Sequence, residues 1–404
     1  MSKLAMHGGH PVRARPYPTW PTYAPDDVRA LEQVLSGDAW GGHPVPRPAT
    51  RRFTTDFARY QGARHCVLTS SGTTGLEVAL RALGIGEGDE VIVPCLSFMA
   101  TAAAVISAGA RPVFVDVEAA TAAMDPDHVA AAVTSRTRAI MPVHLAQHMA
   151  DMDRLTAIAR KAGVAIVEDA AQAHGQRWRE VGAGCFGEFG IFSHQDSKGM
   201  AAGEGGSILT SDEQLAHAAE SIVDCGRARG GGPALRGGNH RMTDLQAALL
   251  NGALTRFPAQ REMRAAAAAQ LESTCTVPGV TIHPADPRLT RLSFSRFSLS
   301  VEPAEFAGAD GLTVRRALEA EGIPCWAPYP SVGHYDLFEP WVALLRQRCG
   351  ADAVPAGFDT GDALWTRQIY LRENVFRDGP DGIADLVEAL AKVHDGAGTL
   401  SDQP

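Results

Sequence analysis

Lysine is scarce in this chain. Of 37 basic residues only four are lysine, namely Lys3, Lys161, Lys198 and Lys392, so arginine carries the ordinary surface charge and each lysine stands out. Cysteine offers no framework either. The seven cysteines (positions 66, 95, 185, 225, 275, 325 and 349) are scattered, odd in number and form no C-x-x-C pair. That argues against a disulfide scaffold or structural zinc and for a reduced, cytoplasmic setting. No basic excess exists: the net charge is -9, which leaves no electrostatic footprint for nucleic acid or an anionic membrane. Long apolar runs are missing too. The most apolar stretch, "MATAAAVISAGARPVFV", is built of small residues and broken by Arg111, so it reads as a buried helix and strand and not as a membrane span. The opening "MSKLAMHGGHPVRARP" has no apolar run, and no signal peptide is expected.

What is present is a long chain of alternating elements. At 404 residues two domains are expected. "DEVIVPCLSF", "GARPVFVDV", "TRAIMPVH", "GVAIVEDA", "FGIFSH" and "GGSILTS" each read as a buried strand, and helical stretches such as "GLEVALRAL" and "DMDRLTAIARKAG" separate several of them. Strands apolar on both faces and joined by helices imply a largely parallel sheet covered on both sides. From "TDLQAALLNGALTRFPAQREMRAAAAAQLES" the pattern becomes long Ala-rich helix, followed by a short strand signal in "RLSFSRFSLSV", more helix, and the Pro-rich "IPCWAPYP". The division expected is an N-terminal segment with a large domain over 1–256 and a smaller C-terminal domain over 257–404.

Three features fall at strand ends, where sheets of this kind gather ligands. "TSSGTTGLEVAL" runs small hydroxyl and glycine residues, including Gly72, Thr73 and Thr74, into a helix. Free backbone N–H groups at such a helix start suit a phosphate, although Ser and Thr also cap ordinary helices. Asp169 leaves the strand of "GVAIVEDAAQAHG" and is followed by Gln172 and His174, more like a pocket floor than a solvated turn. Lys198, in "SKGMAAGEGG", sits among Gly199, Ala201, Ala202 and Gly203, which leave room for a bulky group; a solvated surface lysine is the plain alternative. An amine that can condense with an aldehyde, a phosphate anchor, and a carboxylate able to keep a pyridine nitrogen protonated together meet the needs of pyridoxal phosphate.

Two rival patterns are weaker. Gly182, Gly184 and Gly187 spell G-x-G-x-x-G in "VGAGCFG", but they follow a polar stretch and lead into a strand, which is the wrong context for a dinucleotide. His144 and His148 lie four apart, yet no H-E-x-x-H pattern accompanies them and no metal site is expected.

The run of "SSGTTGLEVAL", "DEVIVPCLSFMATA", "GARPVFVDV", "PVHLAQHMADMD", "VEDAAQAHG", "SKGMAAGEGGSILT" and "NHRMTDLQAALL" resembles the DegT/DnrJ/EryC1/StrS aminotransferases from about Trp20 to about residue 255. The resemblance implies the α/β fold of type I pyridoxal phosphate enzymes: a mixed, mostly parallel seven-stranded sheet in a large domain, with a smaller C-terminal α+β domain. It implies that Lys198 binds the cofactor as a Schiff base and then shuttles a proton. Asp169 would pair with the pyridinium nitrogen, Gln172 with the ring hydroxyl, and Phe98 would stack on the ring. Gly72, Thr73, Thr74 and Ser193 match the phosphate contacts, and Asn239 matches a residue reaching the neighbouring subunit's phosphate, so a homodimer is expected. "HGGHPVR", "LSGDAWGG" and "VHLAQHMADMD" look most like the branch acting on cyclitols, with scyllo-inosose aminotransferases and 3-amino-5-hydroxybenzoate synthases. That branch implies L-glutamine or L-glutamate as amino donor and a keto-cyclitol or keto-sugar as acceptor. A dehydratase or aromatising synthase, or a non-catalytic cofactor-binding regulator, is the alternative. The chain departs from the family pattern at His194, at Gln147 and His148, and in "LWTRQIYLREN", which lacks a histidine common in this region. His148, His194, Arg227, Arg229 and Tyr329 are therefore the candidate substrate contacts, with a solvated loop as the plain alternative for the two arginines.

Overall fold

The structure, a computed structural model, describes residues 3–37, 40–41, 47–228, 234–335, 339–350 and 357–400. Among the described residues, fourteen strands form three sheets. The largest contains β1 (His65–Thr69), β2 (Glu90–Pro94), β3 (Arg111–Val115), β4 (Thr137–Ile140), β5 (Ala165–Asp169), β8 (Phe189–Ser193) and β9 (Gly206–Thr210), in the order β1-β9-β8-β5-β4-β2-β3. Pairing is parallel from β3 across to β8, and β9 alone runs antiparallel, against both β8 and β1. The six apolar runs read from sequence are all strands of this sheet. The seventh, β1, was not among those runs and pairs with β9 at the edge.

Along these strands apolar side chains point alternately to two faces, the period of a pleated strand. Val91, Val93, Phe189, Ile191 and Ile208 join one buried cluster, and their neighbours Ile92, Phe192 and Leu209 join the other. Helices α3 (Gly72–Ala82), α4 (Ala100–Ser107) and α7 (Glu213–Val223) supply apolar residues to the first face. The second face is covered from α2 (Pro48–Gln61), α5 (Pro126–Ala132), α6 (Met152–Ala162) and the first half of α8 (Asp244–Thr274). Short α1 (Pro25–Leu35) starts at a proline whose missing N–H has no helical partner to lose. Caps set other boundaries: the Asp151 carboxylate accepts the Arg154 N–H at the start of α6, and Gly163, with φ of 67°, ends it.

Helix α8 is continuous through position 257, where the sequence reading places a domain boundary. Its first half, with Leu250 and Phe257, packs on the large sheet, and its second half, with Ala267, Ala268 and Leu271, packs in a third cluster. That cluster lies on a four-stranded antiparallel sheet, β10 (Val280–Thr281), β12 (Arg296–Val301), β14 (Gln368–Arg372) and β13 (Cys325–Trp326) in spatial order. Helices α9 (Gly311–Ala320), α12 (Glu373–Arg377) and α13 (Pro380–Asp395) complete it, while α10 (Glu339–Cys349) and α11 (Asp359–Arg367) lie between β13 and β14 in the chain. The N-terminal segment belongs to this layer: Leu4 is buried in it, and buried Arg13 pairs with Asp378 and Asp385 at 2.7 and 2.6 Å.

The glycine triplet of "VGAGCFG" has a packing role. It starts within the hairpin of β6 (Arg177–Trp178) and β7 (Val181–Gly182), which pairs with β11 (Leu289–Arg291), and it leads into β8, not into a helix. A Cβ on Gly190 would lie 2.1 Å from the Gly184 Cα. The N–H groups of Gly184, Phe186 and Gly187 all donate to the buried Glu168 carboxylate.

Candidate active site

The strand ends of β1, β5 and β8 open into a cavity of about 770 Å³. Gly72, Thr73, Phe98, Asp169, Gln172, Ser193, Lys198 and Tyr329 all line it, so most of the residues singled out in the sequence meet in one place.

Lys198 sits in the loop between β8 and β9. Three backbone bonds close that loop: Lys198 N–H to Gln195 O, Asp196 N–H to Gly203 O and Ala202 N–H to His194 O, at 2.9, 3.0 and 2.9 Å. Its small residues serve close packing as well as space, since a Cβ on Gly199 would lie 3.1 Å from the Phe257 ring. The Lys198 side chain is buried, and its amine has no hydrogen-bond partner among the described residues. Burial lowers its pKa to about 7, the Arg296 charge acts in the same direction, and Asp169 opposes both. Near neutral pH this amine is therefore partly unprotonated and nucleophilic.

Asp169 closes β5. Its Oδ2 accepts the Thr101 hydroxyl at 2.8 Å and its Oδ1 the Ala171 N–H at 3.2 Å. With its proton given to Asp169, the Thr101 hydroxyl accepts from Ser97 at 2.9 Å. Burial raises the Asp169 pKa, and Thr101, Ala171, Lys198 and His144 pull it back. Gln172 is fixed by the Ala146 N–H on Oε1 (3.1 Å) and donates from Nε2 to the Tyr329 hydroxyl (3.4 Å). Phe98 presents a half-exposed ring to the cavity, 5.8 Å from that of Tyr329.

Opposite lies the start of α3. Ser71 caps it by accepting the Thr74 N–H at 3.1 Å, and the first amides, Gly72 and Thr73, have no intrahelical acceptor. A side chain on Gly72 would meet the Ser193 Cβ at 3.0 Å. Thr74 stands one layer behind the cavity wall, its hydroxyl among those of Ser71 (2.7 Å), Ser70 (3.1 Å) and Thr69 (3.3 Å).

The remaining candidates lie elsewhere. Asn239 is exposed, bridges to Asp224 and does not line the cavity of this single chain. Arg227 pairs with Asp224 at 3.1 Å, away from the cavity; Arg229 lies outside the described residues. Buried His194 faces the opposite side of β8. Its Nδ1–H donates to Met200 O (3.1 Å), so the neutral ring's Nε2 accepts the Ser207 hydroxyl (2.7 Å). Burial lowers its pKa to about 4. His148 is buried outside the cavity lining, also lowered to about 4 by burial with His283 adding to it. Gln147 joins the layers, exchanging two bonds with the Ser298 backbone at 3.0 and 2.8 Å. The sequence reading passed over Ser97, Thr101, Arg296, Trp326 and Arg372. Arg296 left a signal, as a charge inside the strand pattern "SFSRFSLSV".

Residues 22–343 match the family model of the DegT/DnrJ/EryC1/StrS aminotransferases. An L-glutamine:2-deoxy-scyllo-inosose aminotransferase of Micromonospora echinospora is 36% identical over 411 residues, covering 97% of this chain and 98% of that protein. One of the same name from Streptomyces lividus is 38% identical over 412 residues, covering 96% and 97%. Among solved structures, 3-amino-5-hydroxybenzoic acid synthase superposes with a TM-score of 0.85 at 32% identity, over 94% of this chain and 99% of that one. The seven-stranded sheet, the buried lysine beyond β8 and a family match extending over most of the chain agree with one another, and this chain belongs to the DegT/DnrJ/EryC1/StrS aminotransferase family.

Proposed function

We propose that this aminotransferase uses pyridoxal phosphate to move the amino group of L-glutamine, or L-glutamate, to the ketone of a cyclitol in the making of a specialised, antibiotic-type metabolite. The observation that carries the reading is Lys198: a buried amine held near neutral pKa in the same cavity as a buried carboxylate. The names of the relatives, which give L-glutamine and 2-deoxy-scyllo-inosose, support the donor and the acceptor class.

The residues present fit the cofactor. Asp169 is a buried acid suited to a protonated ring nitrogen, and Gln172 to a ring hydroxyl. The open amides of Gly72 and Thr73, beside Ser193, suit a phosphate. When bound, the cofactor supplies an electron sink and carries the amino group between the two halves of the reaction. Everything else falls to the chain. Thr101 orients Asp169 by a 2.8 Å hydrogen bond. Lys198 Nζ, partly unprotonated at neutral pH, lifts the proton from the donor's α-carbon. Phe98 and Tyr329 line the cavity with their rings. A homodimer goes with this reading, its second copy bringing Asn239 to the phosphate, and so does a reduced cytoplasmic setting. No helix among the described residues is long and apolar enough to cross a membrane.

The likeness to 3-amino-5-hydroxybenzoic acid synthase favours a second reading, loss of a ring hydroxyl in place of amine transfer. The deciding experiment is an absorbance spectrum of the cofactor-loaded protein before and after L-glutamine, then product analysis with a keto-cyclitol. Bleaching of the visible band and an aminated ring with every hydroxyl retained support transamination. A band unmoved by any amino donor overturns it, and a product short of one hydroxyl selects the second reading.

A further inference from the structure

The Asp169 carboxylate is the end of a longer line of hydrogen bonds. Ionised, it can only accept, so the single proton of the Thr101 hydroxyl points to it. The 2.9 Å bond between Thr101 and Ser97 then runs from the Ser97 hydroxyl to the Thr101 oxygen. Ser97, Thr101 and Asp169 are all buried, and every donor in the line is turned towards the carboxylate. Ser97 belongs to the stretch Cys95–Phe98 that follows β2, which also presents Phe98 to the cavity. That stretch is held from behind by the segment between β13 and α10. The Val332 N–H donates to the Cys95 carbonyl at 2.8 Å, Leu96 and Ser331 form an antiparallel bridge, and the Tyr335 hydroxyl donates to the Ser97 carbonyl at 2.9 Å. Burial raises the Tyr335 pKa, with Tyr329 adding to it and Arg296 opposing, so the phenol keeps its proton and remains a donor.

We propose that Ser97 and Tyr335 are positioning residues for Asp169: Ser97 fixes the Thr101 hydroxyl on the carboxylate, and Tyr335 fixes Ser97 from the C-terminal half of the chain. The proposal rests on the reading of the cavity as a pyridoxal phosphate site and adds how its acid is kept ionised. Burial favours the neutral form of Asp169, which could not meet a protonated ring nitrogen as an ion. Thr101 and the Ala171 N–H favour the charged form by hydrogen bonding, and Lys198 and His144 by charge. The Ala171 N–H is set by the backbone, whereas a threonine hydroxyl is free to rotate. Ser97 removes that freedom, because it fills an acceptor position on the Thr101 oxygen and leaves the proton for Asp169. A hydroxyl that accepts one hydrogen bond is also the stronger donor of the next. Through Tyr335 the segment after β13 thereby reaches the ring-nitrogen end of the site without touching the cofactor.

The test reads the ring nitrogen without turnover. Wild type, Ser97→Ala, Ser97→Thr, Tyr335→Phe, Asp169→Asn and the double variant Ser97→Ala with Asp169→Asn are stripped of cofactor, with far-UV circular dichroism to establish that each is folded. Each is titrated by absorbance with pyridoxal phosphate and with its deaza analogue, which carries C–H in place of the ring nitrogen. The ratio of the two affinities reports the pairing at that nitrogen, since a loss of general order in the cavity weakens both ligands together. Ser97→Ala is expected to lower the ratio by about 2- to 5-fold, the share of a charge-assisted bond that a cooperative neighbour supplies. Tyr335→Phe should lower it by about twofold, and Ser97→Thr, which keeps the hydroxyl, should recover most of it. In the Asp169→Asn background, Ser97→Ala should leave the ratio unchanged, because the line no longer ends on a charge. A ratio unmoved by both Ser97→Ala and Tyr335→Phe overturns the proposal, and a fall in Ser97→Ala alone overturns the part of Tyr335. An equal fall in the Asp169→Asn background overturns it too, because Ser97 would then act on the ring directly. If the wild-type protein binds neither ligand, the cofactor reading itself has failed and the proposal falls with it.

Discussion

Replacing Lys198 by methionine should stabilise the cofactor-free protein, and by an amount that depends on pH. Burial lowers the amine from its ordinary 10.5 to about 7. At about 1.4 kcal/mol per pKa unit, the folded protein penalises the charged amine by roughly 5 kcal/mol. A lysine lowered in this way binds its proton in the unfolded chain first. Above pH 10.5 both states are neutral and nothing is lost. As pH falls towards 7 the unfolded chain takes up a proton that the folded one refuses, so stability declines; below about 7 both are protonated and the full penalty remains. The deficit works out at about 4 kcal/mol at pH 7 and about 1.5 kcal/mol at pH 9.5. Methionine fills similar space without charge, so Lys198→Met should remove that deficit. Guanidinium unfolding of the stripped proteins, at one protein concentration to hold assembly constant, gives the comparison. The variant's midpoint should exceed the wild type's at pH 7 and by much less at pH 9.5. Groups present in both proteins, Glu373 among them, cancel in the difference. Equal midpoints at both values would show that the amine is solvated and that the cavity chemistry has been misread.

Asp169→Asn keeps the shape of the cavity but removes the charge, and should reduce turnover with L-glutamine by at least about 100-fold in steady-state assays; Thr101→Val, which only frees the carboxylate, should cost about tenfold or less. Gly206→Ala places a Cβ 2.4 Å from the Ser71 backbone oxygen, so cofactor affinity, measured by absorbance titration, should fall while far-UV circular dichroism is little changed. Arg264 and Glu373 form a buried pair, the Glu373 carboxyl raised to about 7 by burial with Arg264 opposing. Arg264→Met should lower stability by about 3–5 kcal/mol in denaturant melts, with much of that restored by adding Glu373→Leu.

The large sheet was largely legible because parallel strands buried on both faces leave continuous apolar runs, as in "DEVIVP" and "GSILT". Strand β1 was hidden for the opposite reason. It begins at half-buried His65 and Cys66 on the sheet edge, and only its pairing with β9 identifies it. Lys198, Asp169 and Gln172 stood out by residue type against a background of arginine and small residues. Direction did not. Ser193 and His194 are adjacent, but successive side chains leave a strand on opposite faces, so Ser193 lines the cavity while His194 packs edge-on against Phe53 and Phe57. Arg296 and Trp326 escaped notice because each reaches the cavity only through the pairing of β12, β14 and β13, which joins segments far apart in the chain.

The antiparallel strand β9 has a consequence for the newly made chain. It is the strand that joins β1, with the α3 start after it, to β8, with the lysine loop after it, and its partner β1 was synthesised much earlier. Contacts so distant in sequence form late, because the intervening chain must first lose its freedom. Until they form, Lys198 is an ordinary protonated lysine in water, a poor nucleophile towards a stray aldehyde. Folding thus acts as the arming step: the nucleophile is switched on when the sheet closes over it, and an incomplete chain emerging from the ribosome carries no warhead.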